Sequence, residues 1–328
     1  MSDIFNLPNN AQNFYRKGQN ARGHGDYLQA IDYYEKSYAL EEEFLVLREL
    51  VELYLMTAQT DTLDRLWARK LSQVPLDQLD INHILLYAHS LTYLYESQPA
   101  LIELYQIKDH FLTVGWDPQP IDRLIQEMLH LKKVQDQVQQ ATTDQDRHHL
   151  IDQFLKAGPL NFLEQMKTLY RLKADQVQAL LFQVLKREDV IHFVKGDILH
   201  YCIHQGIQRE VVLNWFQKDY PIHLEDLVVY KKDPTYQTIL KQVEDYSQVN
   251  NPNLSQELIN HLNLLIMVYF PFIDQAIPDP NLWVQLFLSY YDLEDTIVDS
   301  VPNTTTHYLD QAFREVNLLL QDTWTPSS

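Results

Sequence analysis

Only seven of the 328 residues are glycine, and no other feature narrows the fold as much. Tight β-turns and phosphate-wrapping loops both draw on glycine, which enters the left-handed backbone region without steric cost. So few glycines point to an all-α chain of helices joined by short polar loops. Hydrophobic residues make up 45% of the chain, with 20 Tyr and 13 Phe. That is ample for a core, and it excludes wholesale disorder, which is poor in aromatics. The length suits two ordinary domains or one extended stack of units.

The first hundred residues read as antiparallel helix pairs. Between Ala11 and Gly23 the residues Phe14, Gly18 and Ala21 recur at helical spacing. The segment HGDY, His24 to Tyr27, is a break in which Asp26 is placed to cap the next helix. Ala30, Ile31, Tyr34, Ser37 and Tyr38 then line one face up to the acidic end at Glu41–Glu43. A second pair runs from Phe44 to Met56 and from Thr62 to Val74, and stops at Pro75. A third runs from Asp80 to Tyr95 and from Pro99 to Leu112. A proline in a first helical turn is well placed, because its missing N–H had no partner there.

These residues resemble the tetratricopeptide repeat, a helix–turn–helix unit of 34 residues. Phe14 falls at the aromatic position of the first helix, Gly18 and Ala21 at small packing positions, and Gly25–Asp26–Tyr27 at the turn. Ala30 takes the small position of the second helix, Tyr34 the large aromatic one and Ser37 the second small one. Lys17 and Glu42 depart from the family pattern, which prefers Leu and Pro there. The second copy, Phe44 to Asp77, keeps Leu47, Leu50, Tyr54, Trp67 and Pro75 in register. It puts Val51 and Leu63 at the small positions, so its helices should sit further apart. The third copy, from about Gln78, needs a short insertion before Ala100. The resemblance implies an α-α superhelix with a concave binding groove. Small side chains at Gly18 and Ala30 would let the first two helices cross closely and bury Phe14 and Tyr34.

Further helices are expected at Pro120–Gln140, Asp144–Ala157, Pro159–Leu172, Ala174–Glu188 and Lys195–Gln205. Arg209 to Leu224 is rich in β-branched and aromatic residues and contains Pro221, which indicates a small embedded hairpin. Helix resumes after Pro234 and passes a linker, SQVNNPN, at Ser247–Asn253. It continues at Leu254–Phe270, Asn281–Tyr291, Glu294–Ser300 and Thr305–Gln321, and DTWTPSS closes the chain as a frayed tail. Three segments are expected: 1–115 of repeat-like pairs, 116–205 of divergent helices, and 206–328 with the hairpin.

Lys and Arg number 26 against 45 Asp and Glu, a net charge of −19. Nucleic acid is an unfavourable ligand for such a chain, because binding it requires clustered cations. From Asn251 onward Arg314 is the single basic residue among ten acids, four of them at Asp292, Glu294, Asp295 and Asp299. That stretch reads as a solvated surface or as a docking face for a basic partner. One cysteine, Cys202, allows neither an internal disulfide nor a thiolate metal site. MSDIFNLPNN has neither the basic nor the apolar region of a signal peptide. The longest apolar stretch, Leu262 to Ile273, is too short to cross a bilayer. A cytoplasmic protein without membrane contact is expected.

Candidate partner-binding residues lie opposite the packing stripe of each first helix. They are Gln12, Tyr15, Gln19 and Arg22, then Arg48 and Glu52 with Leu55, then Asn82 and His89 with Leu86. Such a mix suits an extended or helical peptide, although a solvated helix face has the same composition. A Lys and Asn pair, with which some family members clamp a C-terminal carboxylate, is replaced here by Tyr15 and Gln19. The clamp is therefore absent. His200 and His204 stand four apart without a carboxylate in register, which favours a structural role over a metal site. No nucleotide-binding, metalloprotease or nucleophile-elbow motif occurs. The expectation is a non-enzymatic scaffold with no cofactor and no metal. Its alternatives are a peptide-sensing regulator acting through a separate protein and an enzyme with a pocket between the middle helices and the hairpin.

Overall fold

The computed structural model describes residues 10–250, 254–291 and 303–321. Among them it has sixteen α-helices and one two-stranded antiparallel hairpin. The chain is all-α with a small β element, and it divides into two compact units, residues 1–133 and 134–328.

The first unit begins with α1 (Ala11–Gly23) and α2 (Tyr27–Leu40). Asn10 caps α1 by accepting from the Asn13 N–H at 2.8 Å, and Asp26 caps α2 by accepting from Gln29. Gly25, at φ 77°, provides the left-handed residue of the turn between them. The Ser37 hydroxyl near the end of α2 donates to the Ala11 carbonyl at the start of α1, so the pair is antiparallel. A methyl group built on Gly18 would lie 2.6 Å from Tyr34 Cε1, and Ala30 and Tyr34 are wholly buried. Phe14, expected to be buried with them, is only half-buried, and Lys17 Nζ stands 5.6 Å from its ring.

The next helices are α3 (Phe44–Met56), α4 (Thr60–Gln73), α5 (Ile81–Leu94) and α6 (Ser97–Val114). α3 lies against α2, α4 and α5, and six of its thirteen residues are buried. α3 and α4 approach one another less closely than α1 and α2, in keeping with Val51 and Leu63 at the small positions. Trp67 is buried and donates from Nε1 to the Ser90 hydroxyl, tying α4 to α5. Tyr95, just past α5, donates to Asp64 near the start of α4, so this pair too is antiparallel. α6 ends on Gly115 at φ 77°, and the chain leaves the unit within α7 (Gln119–Gln140).

The second unit starts with α8 (Asp144–Leu155), opened by a capping box between Thr143 and Asp146. α9 (Pro159–Leu169) and α10 (Ala174–Lys186) follow. α11 (His192–His204) begins three residues before the expected start at Lys195 and runs through the middle of the unit. Its eight buried residues face α10, α13 and α16. β1 (Glu210–Trp215) and β2 (Lys218–His223) pair in the register Glu210↔His223 to Trp215↔Lys218, inside the segment where a hairpin was expected. The unit closes with α12 (Pro234–Asn250), α13 (Ser255–Tyr269), α14 (Ile273–Ala276), α15 (Pro280–Ser289) and α16 (Asn303–Gln321).

The expected linker over Ser247–Asn253 is corrected at its start, because residues 247–250 belong to α12. Ser247 is fully buried, and its hydroxyl bonds Glu244 O and Ser255 Oγ. No glycine or proline interrupts the chain before Pro252, so nothing local stops the helix. One hydrophobic core joins residues on both sides of 205/206, from Val134 to Leu319. The four acids Asp292, Glu294, Asp295 and Asp299, the expected helix Glu294–Ser300, and the tail lie outside the described residues. No helix among the described residues is long and apolar enough to cross a membrane.

Candidate functional site

The eight candidate residues stand on the first helices of three successive pairs, α1, α3 and α5. Apolar side chains of the same helices (Ala21; Val46, Leu47 and Leu50; Ile84, Tyr87 and Leu91) turn into the core. Gln12, Gln19, Arg48, Glu52, Asn82 and His89 are exposed, whereas Tyr15 and Arg22 are half-buried.

α1 and α3 are joined through these residues. The Arg22 guanidinium forms an ion pair with Glu49 and a second with Glu52 at 2.9 Å. Arg48 Nη2 also lies 3.5 Å from Glu49. Arg22 is therefore not a free cation waiting for a partner; it ties α1 to α3. Glu49 went unnoticed in the sequence because it lies 27 residues from Arg22, beyond any spacing within one helix. The Tyr15 phenol accepts from Gln19 Nε2 at 3.2 Å, and its ring lies 5.6 Å from that of Tyr34. Burial raises the ionisation range of Tyr15, and the Glu49 charge adds to the effect.

α5 joins the row through a residue that sequence reasoning passed over. His83 Nδ1 lies 2.7 Å from Asp80 Oδ2, and its ring packs edge-on against Phe44 of α3 at 4.9 Å. Asp80 also accepts from the Asn82 and His83 N–H groups, which fixes the first turn that presents the Asn82 side chain. His89, two turns on, lies 5.3 Å from the Tyr93 ring. Among the described residues, no recorded hydrogen bond or ion pair links the side chain of Asn82 or His89 to α1 or α3; α5 packs against α3. The outcome is an ordered row of amide, imidazole and guanidinium groups that offers both donors and acceptors.

A second polar cluster, unforeseen in the sequence, lies inside the second unit. Glu315 of α16 is 2% exposed; its carboxylate accepts from His192 Nδ1 at 2.5 Å, from the Phe193 N–H at 3.1 Å and from Gln311 at 3.2 Å. The other nitrogen of His192, Nε2, accepts from the Phe216 N–H at 2.9 Å. Phe216 and Gln217 form the hairpin turn at φ 44° and 63°, the left-handed geometry of a type I′ turn, without the usual Asn-Gly. The His192 bond, with ring stacking on Phe216 at 4.1 Å, holds that turn. Lys195, 1% exposed, donates to the Asn214 carbonyl at 2.7 Å, and burial lowers its ammonium to about 8. A carboxylate, an imidazole and a depressed lysine make a set found in acid–base catalysis. Here both imidazole nitrogens are spent on fixed partners, and Glu315 and Lys195 are walled in. This arrangement locks α11, the hairpin and α16 together.

His200 and His204 lie with ring centroids 6.4 Å apart, and His200 packs between Tyr230 and Phe270. Burial, with His204 nearby, lowers the His200 imidazole to about 4, so it stays neutral. The described residues hold no cluster of three or more His, Cys, Asp or Glu placed to bind a metal. Cys202 is buried, and burial pushes its thiol up to about 12. No protein-family model, curated protein or solved structure matches this chain.

Proposed function

We propose that the chain is a non-enzymatic adaptor of tetratricopeptide type, which holds a peptide segment of a partner protein along the row formed by α1, α3 and α5. The observation that carries this reading is the exposure of Gln12, Gln19, Arg48, Asn82 and His89 on successive first helices while the opposite faces are buried. Amide side chains donate and accept together, so they suit the backbone of an extended segment. The ion pairs of Arg22 with Glu49 and Glu52 hold α1 and α3 before a ligand arrives, which lowers the cost of ordering on binding. The net charge of −19 favours a basic partner through faster encounter and disfavours nucleic acid. The test is an Arg48→Glu, Asn82→Lys double variant, both sites being exposed and outside the core. Proteins retained by the wild type should be lost from the variant at unchanged melting temperature. An unchanged set would remove this surface from consideration.

A further inference from the structure

A depression of about 450 Å³ opens between α2, α3 and α4, on a different side of these helices from the α1–α3–α5 row. The apolar parts of its lining come from Tyr38, Tyr54 and Leu66, and its polar parts from Glu35, Arg65 and Arg69. The size is within the range that takes one bulky side chain or a small ligand.

Arg65 and Arg69 sit one helical turn apart on α4, so their side chains emerge on the same face. Both are exposed. Among the described residues neither is in an ion pair; Arg65 donates only to Thr62 of its own helix, at 3.3 Å. Arg69 lines the depression together with Arg65, Tyr38 and Tyr54. Two other arginines of the chain are held by acids. Arg22 is held by two glutamates, and Arg187, which borders a depression in the second unit, is held by Asp152 and Asp189. In a chain of net charge −19, Arg65 and Arg69 set two positive charges, neither in an ion pair among the described residues, beside an apolar floor. On α2, Glu35 accepts from the Tyr54 phenol at 2.6 Å and keeps further lone pairs for a donor.

We propose that this depression is a second binding site, which takes an acidic peptide segment of a partner protein. One large apolar side chain enters between Tyr38, Tyr54 and Leu66. Carboxylates flanking that side chain meet Arg65 and Arg69, whose planar forks match a carboxylate. A backbone N–H of the segment donates to Glu35. Because the rest of the chain repels an acidic ligand, these two arginines carry the attraction, and binding weakens as salt rises. The site shares no lining residue with the α1–α3–α5 row, so either site can fail its test without the other.

The test uses the full chain and a panel of doubly blocked, fluorescein-labelled peptides. Two glutamates spaced four apart flank a central Leu or Phe. Control peptides carry Ala at the centre, or two lysines in place of the glutamates. Fluorescence anisotropy should show binding of the Leu and Phe peptides alone. Affinity should fall about tenfold for each arginine lost in Arg65→Ala and Arg69→Ala, the scale of a charge-assisted hydrogen bond. Ala39→Trp, which fills the depression and keeps both arginines, should also abolish binding. Unchanged melting temperatures would show that all three variants fold. The proposal is overturned if no glutamate peptide binds, if the lysine peptides bind equally well, or if the arginine variants retain wild-type affinity.

Discussion

The ring of Tyr34 rests directly on the backbone of Gly18, so close that one added methyl group would lie 2.6 Å from Tyr34 Cε1. Tyr34 is fully buried, so its ring can yield only by displacing the side chains packed around it. Gly18→Ala gains about 1 kcal/mol of helix propensity, but the overlap costs about 1–3 kcal/mol. A net loss of about 1 kcal/mol is expected, despite the usual benefit of replacing glycine in a helix. Ala30→Leu has no such offset at a wholly buried site and should lose about 2 kcal/mol. Urea melts of the two variants against wild type measure both.

The crossing of α11 and α13 is tighter still. A methyl group on Gly196 would overlap the Met267 carbonyl oxygen, and a backbone cannot move aside as a ring can. Gly196→Ala should destabilise by about 2–3 kcal/mol even after the gain in helix propensity. The expected signature is a lower urea midpoint at unchanged slope.

Lys195 predicts an alkaline effect. Its ammonium is lowered to about 8 in the folded chain, whereas an unfolded lysine titrates near 10.4. Between those values the unfolded chain binds more protons, so this group's contribution to stability rises with pH. Each pH unit in that window is worth about 1.4 kcal/mol. From pH 7 to 9.5 the unfolding free energy of wild type should gain about 2 kcal/mol relative to Lys195→Met. Chemical denaturation of both proteins at the two pH values measures the difference.

His200 predicts the acid counterpart. Its imidazole is lowered to about 4 by burial against Tyr230 and Phe270, so the unfolded chain takes up the proton first as pH falls below about 6.5. Stability contributed by this group is present above that pH and is lost progressively toward pH 4. His204 and Lys167 sharpen the effect, and Asp197 opposes it. His200→Phe should lose less stability between pH 6.5 and 4.5 than wild type, by about 1–2 kcal/mol.

The helix boundaries were legible wherever the chain carries its own punctuation. Asp26, Pro75, Gly115 and the Gly158–Pro159 step mark turns that the structure has at those places. Gly18 and Ala30 were legible as contact points, because only small residues allow a close crossing. The hairpin strands were also foreseen, but not their turn, since Phe216 and Gln217 are unusual residues at positive φ and His192 of another element stabilises them. What the sequence hid depends on distant partners. Arg22 looked like a free groove cation until Glu49 and Glu52 were placed beside it. Glu315 and His192 are 123 residues apart, and neither carries a local sign of the other. At Ser247–Asn250 polar composition suggested a linker, but Ser247 finds buried hydroxyl and carbonyl partners that satisfy it inside a helix.

The binding reading stands or falls on whether a partner lies along α1, α3 and α5. Site-specific photocrosslinking in cells tests this directly, with benzoylphenylalanine at Gln19, at Asn82, and at the exposed control Asp32 of α2. One partner trapped at both Gln19 and Asn82 and absent at Asp32 is the predicted result. A partner trapped only at Asp32, or no crosslink at either Gln19 or Asn82, would contradict the account.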